Sequence, residues 1–209
     1  MKLDLVTIES SPIADILRRP AATVEFPLSA EIKALIAAMK LKLIEIEGAG
    51  LAAPQVGYHV RVIVYHVTPL DLEIRNDVEA LVPMTVLINP SYMPLEAEGK
   101  VADWEGCFSV ESIRGKPSRY KAIAYQGYTP SGEKVEGIAR GHLARLLQHE
   151  IDHIRGILFI DVLTPNCIQG SAAEMMAIRH QELEEKAKAK NDSTALQQLK
   201  EIEERRRKK

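Results

Sequence analysis

The chain has 209 residues, of which 46% are hydrophobic and 27% charged, and its formal net charge is -2. This balance is typical of a soluble globular protein of one domain, or one domain with an appendage, and it argues against general nucleic-acid binding. Two distant cysteines and no apolar run near the ~20 residues of a membrane span argue against a disulfide scaffold and a membrane protein. Since residues 1–20 also lack the features of a secretory or transit peptide, we expect a cytoplasmic enzyme.

The N-terminal part combines one helix with a glycine-rich loop. Residues 3–8 predict a short strand, and Ser29 offers the N-cap of an amphipathic helix that extends to about Glu47. The next stretch, Gly48-Ala-Gly-Leu-Ala-Ala-Pro-Gln-Val-Gly57, is small and apolar apart from Gln55. It fits either a close-packed turn with a surface Gln55, or a loop whose backbone pairs with a bound peptide while Gln55 donates a hydrogen bond.

The middle of the chain is predicted to be mainly strands. Residues 60–67 and 85–88 are rich in β-branched side chains, and Asn89-Pro90 is expected to close the second of these strands. The charged segment 69–83 between them predicts a loop or an insertion.

A hairpin and then a buried helix are predicted next. Alternating residues predict paired strands near 120–125 and 134–138. Apolar residues at helical spacing predict a largely buried helix over 141–154, with Gly156 well placed as its C′ residue. Residues 158–163 predict a further strand.

The sequence His149-Glu-Ile-Asp-His153 lies inside this helix. Histidines four apart lie on one face of a helix, so both rings can bind one metal ion, and Glu150 can act as a general base beside it. The alternative is a partly buried helix with two hydrogen-bonded histidines and an exposed acid.

Two residues are candidates for the third ligand of such a site. Glu174 lies at the spacing of one metalloprotease group, although it also completes a capping box with Ser171. Cys107 lies upstream and, as a thiolate, suits Zn²⁺ or Fe²⁺, although a lone cysteine is also a common small core residue. Sequence distance does not decide between them.

The chain after Pro165 changes in character. The capping box predicts a final helix from Ser171, with a break near 191–193 and a basic end at 205–209. This end is interpreted either as a solvated tail or as a polybasic contact with RNA or a ribosomal surface.

Three stretches in this order, 48–55, 105–109 and 148–153, closely resemble the three motifs of the peptide deformylases. The resemblance covers roughly residues 3–163, and it implies an α+β fold with antiparallel sheets around a central metal-binding helix, followed by a C-terminal helix. We accordingly divide the chain into a catalytic domain, 1–166, and a charged helical tail, 167–209.

The resemblance implies the metal site and the reaction. Cys107, His149 and His153 are implied as ligands of one divalent ion, natively Fe²⁺ with Zn²⁺, Ni²⁺ or Co²⁺ as substitutes, and Glu150 as the catalytic acid and base. The implied reaction is hydrolysis of the N-formyl group from nascent peptides that begin with formyl-methionine, which releases formate.

The resemblance also implies the substrate contacts. The Gln55 amide and the backbone N–H of Phe108 are implied as stabilisers of the oxyanion. Residues implied to contact the peptide or the methionine side chain are Ala49, Gly50, Leu51, Gly106 and Leu146. Two features depart from the family pattern: Phe108 replaces the usual Leu of the second motif, and residues 70–83 look longer than in compact members.

Two other functions remain open from the sequence. A catalytically silent homologue would bind formylated peptides or metal without releasing formate, and a zinc endopeptidase would use Glu174 as its third ligand.

Overall fold

The structure is a computed structural model that describes residues 1–189 together with residue 197. Its α-helices are α1 (Ala30–Glu45), α2 (Pro69–Ile74), α3 (Gly141–Ile154), α4 (Phe159–Val162) and α5 (Ala172–Ala189). Its strands are β1 (Gly50–Ala52), β2 (Val62–Val67), β3 (Val82–Pro94), β4 (Lys100–Ala102), β5 (Glu105–Cys107), β6 (Val110–Gly115), β7 (Ser118–Tyr120), β8 (Ala122–Tyr128), β9 (Lys134–Arg140) and β10 (Gln169–Ser171). No described helix has the length and apolar character that crossing a membrane requires.

A five-stranded antiparallel sheet forms the centre of the molecule, in the order β1-β2-β3-β8-β9. Side chains alternate between its faces, so Val62 and Val64 of β2 pack with the apolar side of α1, whereas Ile63 and Tyr65 pack with α3. The sheet therefore lies between α1 and α3. The predicted α+β fold with antiparallel sheets around the motif helix is confirmed.

Two smaller sheets place the second motif beside α3. One has the order β10-β6-β5, and the other pairs β4 with β7. Strand β5 is only three residues long, ends at Cys107 and has an irregular register against β6. This short strand presents Cys107 to the C-terminal half of α3.

Strand β3 is much longer than predicted. It continues through Asn89-Pro90, where we expected it to end, and its register against β8 shifts between Ile88 and Ser91. Asn89 has a φ of 49°, and its side chain accepts from Val24 N and donates to Val24 O, both at 2.8 Å. The irregularity accommodates the proline, which has no N–H for the ladder, so the strand bends instead of stopping.

Two predicted strands are wrong. Residues 158–163 form the short helix α4, because the Asp161 carboxylate accepts from Leu158 N at 2.8 Å and Phe159 is fully buried in a helical turn. Residues 3–8 form no strand, since their N–H groups bond to separate partners: Val6 to Gln55 O and Ile8 to Ser109 O.

The predicted helices are confirmed at their N-termini. Ser29 accepts from Ile32 N at 3.2 Å at the start of α1, and Ser171 donates to the Glu174 carboxylate at 2.7 Å at the start of α5. The segment 69–83, interpreted as a loop or an insertion, contains the helix α2. The predicted break at 191–193 and the basic end at 205–209 lie outside the described residues.

Candidate active site

The side chains of the two histidines of α3 and the cysteine of β5 lie close together. The sulfur of Cys107 lies 3.2 Å from Nε2 of His153, and the His149 and His153 rings are 4.9 Å apart. One potential ligand atom from each of the three residues lies within 4.8 Å of the other two. The structure therefore brings together the three residues that the motifs single out.

This cluster fits a divalent metal ion. One thiolate with two imidazoles is a ligand set that suits Zn²⁺ or Fe²⁺ and leaves a fourth position for water or substrate. Nδ1 of His149 lies 3.0 Å from Glu105 Oε2, which leaves its Nε2 for a metal. Burial, with His149 and Arg119 nearby, lowers the pKa of His153 well below its usual value and favours the neutral ring that a ligand requires.

Glu174 lies elsewhere. Its carboxylate accepts from Ser171 at the start of α5, and it is not in the described group of potential metal ligands. The capping-box interpretation of this residue is confirmed.

Glu105 contacts the Cys107/His149/His153 group through His149. Its buried carboxylate accepts from Arg119 at 3.0 and 3.1 Å and from Arg145 at 2.7 Å, besides its contact with His149. Burial alone would raise the pKa of Glu105, but the Arg119 charge and the His149 hydrogen bond hold it well below the usual range. Glu105 is therefore ionised at neutral pH and can fix the orientation of the His149 ring.

The network continues to the C-terminal half of α3. Arg119 also pairs with Asp152, whose other oxygen accepts from Tyr92 at 3.2 Å. The side chains of Arg119, Glu105 and Asp152 are each about 5% exposed, so each of these three buried charges depends on its ion-pair partners for stabilisation. Sequence reasoning gave these residues no role, and it missed Arg145 as well. The available signal was a charged residue within the buried face of α3, which requires a buried partner.

The amide nitrogen of Gln55 is held beside Cys107, one of the three potential ligands. The side chain is 1% exposed, so the surface-residue interpretation is wrong. Its Oε1 accepts from Ala52 N at 2.8 Å, and its Nε2 donates to Cys107 Sγ at 3.4 Å. Ser109 N donates to the same sulfur at 3.4 Å. Both donors therefore point at the sulfur of Cys107.

Glu150 is buried at the floor of the site. It is 3% exposed, and among the described residues no hydrogen-bond partner reaches its Oε2. A Cβ on Gly50 would lie 2.4 Å from Glu150 Oε1, so only glycine leaves room for the carboxylate there. Burial raises the pKa of Glu150 to about 7, a value suited to an acid-base group.

A cavity of about 510 Å³ opens above these residues. Leu51 was implied to contact the substrate, but its side chain is fully buried in the core and does not line the cavity. His153 lies beneath the lining and is 1% exposed. The predicted residues that do line the cavity are Ala49, Gly50, Gln55, Gly106, Cys107, Phe108, Leu146, His149 and Glu150.

The ring of Phe108 lies at the rim of this cavity. A Cβ on Gly48 would approach the Phe108 ring to 2.8 Å and Leu43 Cδ1 to 2.9 Å. Gly48 therefore leaves the space that the larger ring occupies. The ring remains 36% exposed, so it adds an apolar surface to the rim.

Residues 5–169 match the family model described as polypeptide deformylase. The chain belongs to this family. It is 40% identical over 187 residues to peptide deformylase 2 of Rickettsia conorii, an alignment that covers 88% of this chain and 91% of that protein. Two crystal structures of deformylases are also similar to it. That from Thermotoga maritima has a TM-score of 0.66 and 29% identity, covering 79% of this chain and 99% of that one. The structure of the class I type b enzyme from Acinetobacter baumannii, bound to Met-Ala-Ser, has a TM-score of 0.65 and 30% identity. The match covers 78% of this chain and 99% of that one.

Membership establishes the activity. The protein is a metal-dependent hydrolase that removes the N-formyl group from formyl-methionine at the start of newly made peptides. Neither a silent homologue nor a zinc endopeptidase is favoured, since the deformylase relatives match over most of the chain and Glu174 lies apart from the metal cluster. The deformylase thus has a Cys/His/His group that can hold its metal.

Proposed function

We propose that Cys107, His149 and His153 hold one divalent ion, natively Fe²⁺, with Zn²⁺, Ni²⁺ or Co²⁺ as substitutes. The observation that carries this is the convergence of their three ligand atoms within 4.8 Å beside the buried Glu150. A thiolate with two imidazoles accepts each of these metals, and the His149–Glu105 contact orients one ligand. When bound, the ion supplies Lewis acidity: it lowers the pKa of a water molecule and polarises the formyl carbonyl.

Glu150 is proposed as the group that moves the proton. No described residue donates to its buried Oε2, and Glu150 lines the cavity, so its carboxylate can take a proton from water as the water oxygen attacks the formyl carbon. The carbon–nitrogen bond then breaks, and Glu150 passes the proton to the leaving amine. The products are formate and a peptide with a free N-terminus.

Gln55 and the backbone N–H of Phe108 are proposed to stabilise the charge that develops on the formyl oxygen. The Ala52 N–H fixes the Gln55 amide, so its Nε2 points to the metal cluster before substrate arrives. Donors that are already oriented need no rearrangement in the transition state, which makes their electrostatic stabilisation effective.

The peptide is proposed to lie along β1, with its first side chain beside Leu146. Strand β1 is at the edge of the central sheet, so one side of its backbone is free of strand pairing in the described sheet. Ala49, Gly50 and Gly106 line the cavity there, and Leu51 would contribute only its backbone. The related Acinetobacter enzyme with Met-Ala-Ser bound supports a peptide that begins with methionine.

The division into a catalytic domain, 1–166, and a tail, 167–209, is kept as a proposal, and so is a cytoplasmic location. The family match ends at residue 169, close to that boundary. The basic end, 205–209, carries five consecutive cationic side chains that could attract an RNA-rich ribosomal surface.

Formate release from a formyl-Met peptide tests the function, with protein prepared anaerobically and its metal quantified, because Fe²⁺ and a thiolate both oxidise. We expect turnover that scales with bound metal. Cys107→Ala should abolish both metal binding and turnover, whereas the matched Glu174→Ala should leave both unchanged. Metal loss in Glu174→Ala instead would overturn the ligand assignment, and peptide binding without formate would indicate a silent homologue.

A further inference from the structure

Part of the lining of the substrate cavity comes from residues outside the three motifs. Leu70, Ile74 and Arg75, from α2 and the residue after it, line the cavity, as do Trp104 and Leu146. Arg75 donates to the backbone oxygen of Trp104 at 2.8 Å, so the two parts of this wall are joined directly. We call Trp104 and residues 69–76 the cavity wall.

Helix α5 binds the Trp104 side of the cavity wall. The indole of Trp104 is 5% exposed, and its Nε1 donates to Glu182 Oε2 at 2.7 Å. Lys116 donates to both oxygens of the same carboxylate, at 2.7 and 3.0 Å, and its ammonium lies 4.6 Å from the centre of the Trp104 ring. A buried indole N–H requires an acceptor, and here α5 provides it.

The same helix also binds the α2 side of the cavity wall. Arg179 donates to the backbone oxygen of Ile74 at 3.3 Å, and Lys186 donates to Asn76 Oδ1 at 2.5 Å. Arg179, Glu182 and Lys186 are spaced three and four residues apart, so they lie along one face of α5. That face contacts both parts of the cavity wall at once.

We propose that this face of α5 is a positioning element of the substrate site, which sets how tightly the enzyme holds the side chain of the first residue. The inference rests on the proposed placement of that side chain beside Leu146. Helix α5 begins after residue 169, where the family match ends, so the family model does not account for it. Glu182 does not touch the reacting atoms; it acts through Trp104.

The physical argument concerns the freedom of the cavity wall. Residues 69–76 form a helix of six residues with two more after it, too short to be stable by itself, and Leu70 is 45% exposed. Contacts from α5 restrict this segment and the indole to one arrangement. A restricted wall loses less conformational freedom when a methionine side chain packs against it, so binding is tighter.

The experiment compares Glu182→Ala with the matched variant Glu185→Ala on the same helix. Glu185 is exposed, and it accepts a hydrogen bond from Gln181 of α5 itself rather than from the cavity wall. Formate release is measured with formyl-Met and formyl-Ala peptides. Trp104 is the single tryptophan of the chain, so its fluorescence emission reports on the cavity wall without interference.

We expect Glu182→Ala to raise KM for the formyl-Met peptide by about three- to ten-fold, the effect of one lost hydrogen bond of typical net strength. The kcat should stay within about two-fold, since the reacting groups are untouched. KM for formyl-Ala should not change, because a methyl group does not reach the wall, and Trp104 emission should shift to the red. Glu185→Ala should match the wild type in every measurement.

A double variant separates positioning from general destabilisation. Trp104→Phe removes the indole N–H, so adding Glu182→Ala to it should raise KM no further if Glu182 acts through Trp104. Additive effects, an unchanged KM ratio of formyl-Met to formyl-Ala, or equal losses in kcat for both peptides would each overturn the inference. If the wild type shows no preference for formyl-Met over formyl-Ala, the proposed pocket for the first side chain is wrong. If the wild type shows the preference and Glu182→Ala leaves it unchanged, the pocket stands and the role of α5 is wrong.

Discussion

Helices α3 and α5 serve the same cavity by opposite means. Eleven of the fourteen residues of α3 are buried, and they include Arg145, Glu150, Asp152 and His153. In α5, two of the eighteen residues are buried, and its contacts with the cavity wall are polar and partly exposed. Changes in α3 should therefore affect stability and chemistry together, whereas changes in α5 should affect substrate binding with little cost in stability.

The contrast follows from how each helix satisfies its polar groups. The charges of α3 lie in the interior, so each must have a fixed partner, and the partners form one continuous chain from Asp152 through Arg119 and Glu105 to His149. The charged side chains of α5 that face the cavity wall are exposed or partly exposed, so a charge that loses its partner there remains hydrated. Substitutions at the two places can measure this difference.

The largest effect is expected for Glu150→Gln in α3. The amide keeps the size that fits against Gly50 but cannot take a proton from water, so kcat should fall by about a thousand-fold. Metal content should remain that of the wild type, because Glu150 is not one of the three clustered ligands. Substantial formate release by a metal-loaded Glu150→Gln enzyme would contradict its role as the acid-base group.

Arg119→Met tests whether the interior network depends on every partner. The change leaves Glu105 and Asp152 as buried, uncompensated charges, and we expect the free energy of unfolding to fall by about 3–5 kcal/mol. The matched control is Arg18→Met, which removes the half-exposed pair with Asp161 and should cost less than about 1 kcal/mol. Denaturant titrations of both variants make the comparison, and equal losses would argue against it.

Gly50→Ala tests the close approach of β1 to α3. An added Cβ would lie 2.4 Å from Glu150 Oε1, so the carboxylate must move, and kcat/KM should fall by about a hundred-fold. Gly170→Ala is the matched control next to α5: the nearest atom, Cε of the flexible Met175, is 3.0 Å away. That variant should keep nearly full activity. Similar activities of the two variants would show that the space beside Glu150 is not critical.

The smallest effect is expected for Asp71, whose carboxylate accepts from the backbone N–H of Thr68 at the start of α2. Burial opposes its charge, but the His142 ring at 3.5 Å and hydrogen bonds from Thr68 lower the pKa of Asp71 to about 2. Because the folded-state pKa lies below the unfolded value, this stabilisation is present above about pH 4 and is lost as the pH falls toward 2. We expect Asp71→Asn to lower the free energy of unfolding by about 1–2 kcal/mol at pH 6, and the difference from the wild type to shrink at pH 3.

Denaturant titrations at pH 6, 4 and 3 measure this dependence. The exposed Glu79 in the same segment provides a control, since Glu79→Gln should change stability by less than about 0.5 kcal/mol. A difference between Asp71→Asn and the wild type that is constant with pH would show that the carboxylate charge does not contribute.

Local patterns predicted the elements that carry the metal site. The periodicity around His149 and His153 predicted α3 with both ends correct, and the glycine-rich loop with Gln55 was recognised from its composition. The strand expected at 158–163 was wrong because one side chain, Asp161, caps a helical turn there. The end of β3 was misplaced because a bulge, which depends on the neighbouring strand, carries the chain past Pro90.

The sequence by itself determined the motif helix, the candidate ligands and, through its resemblance to a family, the reaction. Spacing alone left Cys107 and Glu174 open, and the resemblance implied Cys107, but the convergence of Cys107 with the histidines, the burial of Glu105 among arginines and the contact of α5 with Trp104 are visible only in the tertiary structure. The reason is physical: periodicity and capping act over a few residues, whereas Glu182 is 78 residues from Trp104 and Asp152 is 33 from Arg119. Only the folded chain brings such partners together.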